Sequence, residues 1–430
     1  MNKWIVAGVV VVIAGAAAPW GTGVLTEKQW AEGQKRLNGQ QLVVGVETER
    51  YDRGYLGASV AGTVQFEDPD SGEQLEIPWQ GQVSHGFVSS QVDIEFGSSD
   101  SELMQQLFPA EKPSLSISLN AWGTAGLVVA VPAIDARDEA TGESLKMAEA
   151  VVRIGVHDAG DSFDLVLEWP GLVARGPDVE LTLGDVTVNQ TMSRLRGDVW
   201  TGEGSLALEN ATLDPSGQPG LSLQGMSLQS TTSADNSDSF SVDSTFGIEQ
   251  VVSDGIPSGP HRARFVMQDF AVDPWNRLLG AFGDMQMLST TAEVSSLSRQ
   301  ALLEQQMQAM DAVSSALRDL AAAGLSFGFP EVNLEFPEGQ ISGEVMLYHP
   351  QLTTEEGEAL TLVMQRLTGS MDVRLPVDLV ESRPALMEEL APLVQQGILV
   401  RDGGDFVLKA RLEDLEVDVN GNRFPLPPMI

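Results

Sequence analysis

The chain has 430 residues, contains no cysteine, and carries 61 acidic against 25 basic residues, which gives a formal charge of −36. This charge excludes nucleic acid as a partner, because phosphate backbones are bound by basic surfaces. The lack of cysteine excludes disulfides and thiolate metal sites. With 42% hydrophobic residues, the chain can form two or three domains, or one long domain, with a large core.

The first segment, residues 1–20, is an almost unbroken apolar run behind Lys3. A helix that spans a bilayer needs about 20 apolar residues, so its length is marginal. Its basic start and small residues also fit a cleaved signal peptide, and a cut after Ala16 stays open. We predict an uncleaved anchor over residues 1–24, because Pro19 disfavours cleavage after Ala18. The predicted anchor residues are Trp4, Ile5, Val9, Val12, Ile13 and Trp20.

Lys3 and the amino terminus lie on the short side of this anchor, which predicts that they stay in the cytoplasm. The protein is then a single-pass protein of a bacterial inner membrane with its body in the periplasm.

Residues 25–290 are predicted to be a β-rich region of short antiparallel strands. Runs of alternating apolar residues follow one another, separated by turn-forming residues and without long intervening helices, which predicts a meander instead of a βαβ fold. Apolar residues alternate over residues 178–190 with a phase slip near Gly184, where a turn or a bulge is expected, and residues 221–251 predict a hairpin. The other predicted strands cover residues 42–46, 58–66, 74–79, 92–96, 115–119, 127–131, 151–156 and 163–167.

Residues 291–430 are predicted to mix helices with strands. Apolar residues three or four apart predict a long amphipathic helix over residues 303–320 that packs on the sheet. Shorter helices are predicted over residues 354–367, with a capping box, and 384–396. The stripe of the long helix consists of Leu303, Met307, Met310, Val313, Leu317 and Leu320.

The predicted fold is therefore mainly β with some α. It consists of an elongated, largely antiparallel curved sheet, one long amphipathic helix and shorter C-terminal helices.

The sequence offers one candidate nucleophile. Residues 324–328 match the G-x-S-x-G pattern of a hydrolase, with Ser326 in the middle. A nucleophile elbow needs a strand before the serine and a helix after it, whereas here the predicted order is the reverse. The four histidines lack the spacing of a zinc site, and no glycine-rich phosphate loop occurs. We therefore predict no catalytic, cofactor-binding or metal-binding residues, and no enzyme.

Three local patterns, in this order along the chain, are similar to those of a known family. They are a Y-x-R-G opening near the anchor, a His-Gly pair that here lacks the following proline, and a V-N-G turn near the C-terminus. In these patterns the chain resembles the YdgA-like family of membrane-anchored bacterial envelope proteins, whose domain is of unknown function. The resemblance implies an envelope location and a β-rich body. The residues that carry it are Tyr51, Arg53, Gly54, His85, Gly86, Asn420 and Gly421.

The expected function follows from the predicted sheet. A long sheet with one apolar face must cover it, and only one long helix is predicted, so we expect the sheet to bind an envelope protein or an apolar ligand such as lipid. The alternatives are a periplasmic serine hydrolase using Ser326 and a homo-oligomeric structural protein joined through a sheet edge. The expected partners include the inner membrane, through the anchor, and exclude nucleic acid; no cofactor is expected.

Overall fold

The computed structural model describes residues 44–53, 57–67, 74–97, 105, 107–120, 122–139, 141–291, 299–357 and 360–426. The predicted anchor lies outside these residues. Within the described part of the chain, no helix is long and apolar enough to cross a membrane. The chain divides into two compact units, the first containing most residues up to 193 and the second most residues from 256 onward.

Short strands form most of the first unit. They are β1 (Val44–Arg53), β2 (Gly57–Glu67), β3 (Gln74–His85), β4 (Ser89–Phe96), β5 (Ser114–Asn120), β6 (Ala125–Val131), β7 (Ile134–Arg137), β8 (Ser144–Met147), β9 (Ala150–His157), β10 (Ser162–Trp169), β11 (Leu172–Arg175), β12 (Val179–Leu183) and β13 (Val186–Arg196), with a 3-10 turn at Asp158–Gly160.

All described pairs of these strands are antiparallel. One series pairs β1 with β2 and continues in order to β6, then through β9 and β10 to β13. A second series pairs β7, β8, β11 and β12. The core of the first series forms because apolar and polar residues alternate along each strand, as in β4, so that one face is apolar. Ile94, Ile117 and Leu127 on that face are almost fully buried.

Four strands contribute residues to both units: β13 and the longer strands β14 (Val199–Pro215), β15 (Leu221–Ala234) and β16 (Ser239–Ser253). The strands of the second unit are β17 (Ile256–Ser258), β18 (His261–Ala271), β19 (Leu325–Phe336), β20 (Gly339–His349), β21 (Thr368–Pro376), β22 (Val400–Asp402), β23 (Asp405–Glu413), β24 (Glu416–Val419) and β25 (Asn422–Pro425). Its helices are α1 (Val272–Thr291), α2 (Arg299–Ala322), α3 (Thr354–Gly357), α4 (Leu360–Arg366), α5 (Val377–Glu381) and α6 (Pro384–Gln395).

In the second unit, β16, β18, β19, β20, β21, β23, β24 and β25 pair in this order, again antiparallel. Helices α1 and α2 bury one apolar cluster with the sheet, which includes Phe270, Leu278 and Leu320. Helices α5 and α6 bury another with Val380 and Phe406. The prediction of a mainly β fold with an antiparallel sheet and short C-terminal helices is confirmed.

Two details of the helical prediction are wrong. Helix α1 is not predicted from the sequence, because its Gly280 and Gly283 interrupt the apolar pattern and weaken the signal for a helix. In α2, the predicted stripe does not pack as a whole: Met307 and Met310 are 63% exposed, whereas the small residue Ala316 is buried. The capping box is confirmed by its reciprocal hydrogen bonds at the start of α3.

We expect Leu320→Ala to lower the free energy of unfolding by about 3 kcal/mol, because it leaves a cavity between α2 and the sheet. Leu317→Ala, three residues earlier, removes a side chain that is 48% exposed and should cost less than about 1 kcal/mol. Urea denaturation followed by circular dichroism measures both values. Equal losses for the two variants would contradict this assignment of the packed face.

Candidate functional site

The structure gives local structural roles to the family-motif residues that it describes. Tyr51, in β1, packs against the core of the first unit. His85 ends β3, and its Nδ1 lies 3.1 Å from Ser90 Oγ across the β3–β4 turn. In that turn, Gly86 donates its main-chain N–H to the carbonyl of Ser89 (2.7 Å). Six predicted anchor residues, Gly54 and the side chain of Arg53 lie outside the described residues.

Asn420 fixes the turn between β24 and β25. Its Nδ2 donates to the carbonyl oxygens of Ile398 (2.8 Å) and Val407 (2.9 Å), and its Oδ1 accepts from the main-chain N–H of Lys409 (3.1 Å). Its φ of 49° is a left-handed conformation that asparagine tolerates well. Gly421 follows with a φ of 88°, so both residues of the V-N-G turn serve backbone geometry.

We expect Asn420→Ala to lower the free energy of unfolding by about 3 kcal/mol, since it removes three hydrogen bonds and places alanine at a positive φ. Asn189→Ala, at an exposed position of β13, is the matched control and should change stability by less than about 0.5 kcal/mol. Thermal unfolding of both variants checks this. A stable Asn420→Ala variant would mean that the turn does not depend on this side chain.

Ser326 lies inside β19 and not at a strand-to-helix turn. Its hydroxyl donates to Gln268 Oε1 (3.1 Å), a neighbouring side chain of β18. No hydrogen bond to a histidine is described for it. Elsewhere in the second unit, Ser258 Oγ lies 3.2 Å from His261 Nε2, but no carboxylate is hydrogen-bonded to the other ring nitrogen among the described residues. In the part of the chain that the structure describes, neither serine has the orienting acid of a catalytic triad.

The most extended surface feature of the second unit is apolar. Phe246, Ala263, Val332, Gly343 and Val373 are paired directly, one from each of β16, β18, β19, β20 and β21. Residues opposite one another in an antiparallel pair share a face of the sheet, so these five positions form a row. Similar apolar residues lie in the rows on either side.

We name this surface the apolar strip. Phe246 and Phe329 are 37% and 43% exposed, and the other members are neither fully buried nor fully exposed. The strip consists of Phe246, Ile248, Ala263, Phe329, Val332, Leu334, Ile341, Val345, Met371 and Val373.

Helices cover the same face at both ends of the strip. Phe327, two residues before Phe329 and therefore on the same face, packs with the cluster under α1 and α2. Leu375, two residues after Val373, packs with the cluster under α5 and α6. The strip is the segment of apolar face between these two covers.

The opposite face of these strands is charged. Arg264 in β18 makes a forked ion pair with Asp243 in β16, with Nε 2.9 Å from Oδ1. The hydrogen bond from Arg264 holds the pKa of the Asp243 carboxyl below its usual range. Asp372 in β21 lies 3.5 Å from the Lys409 ammonium. These pairs are partly exposed to solvent and therefore add little stability.

His261 is the one buried imidazole in the rows of the strip among the described residues. It pairs in register with Ile248 and Leu334 and is 9% exposed. Burial lowers its pKa, which the negative charge of Glu335 partly opposes. The ring is therefore kept neutral in the folded protein near neutral pH.

We expect the free energy of unfolding to fall as the pH drops below the ordinary histidine pKa of about 6.5. In that window the unfolded chain protonates His261, whereas the folded chain, with its lowered pKa, does not, so stability rises with pH. His261→Leu should reduce this slope, by at most about 1.4 kcal/mol per pH unit. Urea denaturation between pH 5 and 8 measures it, and equal slopes in both proteins would contradict it.

Neither the strip nor His261 is predicted as a site from the sequence. Single apolar residues in separate strands have no distinguishing spacing, and only the register of the strands brings them together. Among the described residues, no group of three or more histidine, aspartate or glutamate side chains could hold a metal ion.

Comparison with known proteins gives one match. The model of a family described as "Bacterial protein of unknown function (DUF945)" matches residues 1–427. The match confirms the predicted membership of a bacterial family of unknown function. No curated protein and no solved structure matches the chain.

Proposed function

The chain belongs to the bacterial family DUF945, whose function is unknown, and on that premise we propose that it holds the acyl chain of a lipid on the apolar strip. In this proposal it is a non-catalytic envelope protein, anchored in the inner membrane by residues 1–24, with its body in the periplasm. The resemblance to the YdgA-like family supports the anchored location.

The observation that carries the proposal is the partial exposure of the strip. Burial of apolar surface is favourable by about 25 cal/mol per Å², and soluble monomers rarely expose contiguous apolar patches above a few hundred Å². In the first unit the apolar face of β2 to β6 and β9 is buried, with Ile117 at 0% exposure. In the second unit ten neighbouring apolar positions each keep part of their surface in solvent. An apolar ligand would cover that surface.

The dimensions of the strip suit a single acyl chain. Its central row, from Phe246 in β16 to Val373 in β21, crosses five strands, which at about 4.8 Å per spacing extends about 19 Å. The acyl chains of one leaflet occupy about half of a hydrocarbon core of roughly 30 Å, or about 15 Å. The helical covers at both ends limit the strip along the strand direction.

We expect Val345→Gln to weaken the binding of a fluorescent fatty acid about tenfold, because an amide without a partner is costly against an acyl chain. The matched control is Glu344→Gln, the neighbouring residue of β20, which lies on the opposite, charged face and should bind as the unchanged protein does. Fluorescence titration of the full-length protein in mild detergent measures both.

Circular dichroism and thermal unfolding show whether the two variants are equally folded. Failure of the unchanged protein to bind the fatty acid, together with native mass spectrometry that shows no lipid on protein extracted from membranes, would refute the proposal. Equal weakening by the two variants would place the ligand elsewhere.

The two alternatives from the sequence have less support. A hydrolase would require Ser326 to be activated, but its hydroxyl is hydrogen-bonded to Gln268. A homo-oligomeric structural role would use an exposed edge such as β25, whose four residues are all exposed. Native mass spectrometry separates this role from lipid binding, since it reports bound copies and bound lipid in one measurement.

A further inference from the structure

A cluster of polar side chains lies where the apolar strip meets α5 and α6. Phe336, at the end of β19, is at its centre. The imidazole of His261 lies with its centroid 5.4 Å from that of the Phe336 ring. The guanidinium of Arg383, the residue before α6, lies with Cζ 5.0 Å from the same ring. Glu338, in the β19–β20 turn, is near Arg383, with 3.9 Å between its Oε2 and the nearest guanidinium nitrogen.

Two atoms of this cluster are buried and lack hydrogen-bond partners among the described residues. They are His261 Nδ1 and Glu338 Oε2. The distance of 3.9 Å from Arg383 is too long for a hydrogen bond to Glu338. More than nine tenths of the His261 side chain is buried, and most buried polar atoms in proteins have a partner. The cluster is therefore incomplete without a further group.

The carbonyl oxygen of Val251, 3.4 Å from Ser258 Oγ, can only accept, so we assign the hydroxyl proton of Ser258 to this hydrogen bond. In that assignment Ser258 Oγ accepts from His261 Nε2–H at 3.2 Å, and His261 Nδ1 is a hydrogen-bond acceptor. The Glu338 carboxylate also only accepts.

We propose that the lipid held on the strip has a polar head with hydroxyl or amine donors, and that His261 Nδ1 and Glu338 Oε2 accept their hydrogen bonds. This inference rests on the proposed function, since the strip must first hold the acyl chain. A head group with acceptors only leaves both buried atoms without partners. The site thus selects among lipids by hydrogen-bond donors, while the strip binds their chains.

The test compares two lipids with the same acyl chain: a monoacylglycerol, which has two hydroxyl donors, and the fatty-acid methyl ester, which has none. Each competes with the fluorescent fatty acid for the full-length protein in mild detergent. We expect the monoacylglycerol to bind about tenfold more tightly, because the methyl ester leaves buried acceptors unpaired. His261→Leu and Glu338→Gln should each bring the ratio of the two affinities towards one.

The outcomes separate this inference from the proposed function. Equal affinities of the unchanged protein for the two lipids mean that water donates the hydrogen bonds to the two buried atoms. This result overturns the inference and does not affect the proposed function. If neither lipid binds, both fail. A tenfold preference that survives both substitutions assigns selectivity to other residues and also overturns the inference. Glu338→Gln is nearly isosteric, so it decides the question even if His261→Leu does not fold.

Discussion

Main-chain hydrogen bonding between strands that are near neighbours in the chain is the interaction on which this structure depends. With no cysteine, the chain has no disulfide to hold its strands, and its helices contact only parts of the sheet. Each strand places alternate residues on opposite faces, so the pairing that satisfies the backbone also sorts side chains into an apolar and a polar face. The remaining packing contacts determine how the apolar face of the sheet is covered.

The two units differ in how their apolar faces are covered. The first unit buries the apolar face of β2 to β6 and β9, and this core includes side chains with almost no exposure, such as Ile117. The second unit uses helices at two places and leaves the apolar strip between them. The same alternating pattern of sequence thus produces a closed core in one unit and a partly open surface in the other. The difference lies in what packs on the face.

The strands were largely predictable from the sequence. The break near Gly184 and the hairpin that includes β15 and β16 both follow from alternation and turn residues, because these signals are local. Helix α1 was not predicted, since its glycines obscure the period of the helix. The buried face of α2 was also misjudged, because a stripe of large residues does not reveal that Ala316 approaches the sheet.

The candidate site could not be predicted for another reason. Its rows depend on the register of five strands, including a shift between Arg264 and Val266 in β18. A shift of one residue moves every side chain to the other face, and no local pattern fixes it. The burial of His261 could not be predicted either, because in the sequence it is one of four scattered histidines. The family motifs, by contrast, could be recognised from their order along the chain. The motif residues that the structure describes have structural roles.

The order of strand pairing also determines how this sheet unfolds locally. From β18 to β25 almost every strand contacts the strands just before and after it, as repeats do in a solenoid. Stability in such an array is close to a sum of terms between neighbours, so cooperativity is short-ranged. Fraying then begins at β25 and proceeds inward one hairpin at a time, while the cluster around Leu320 remains closed.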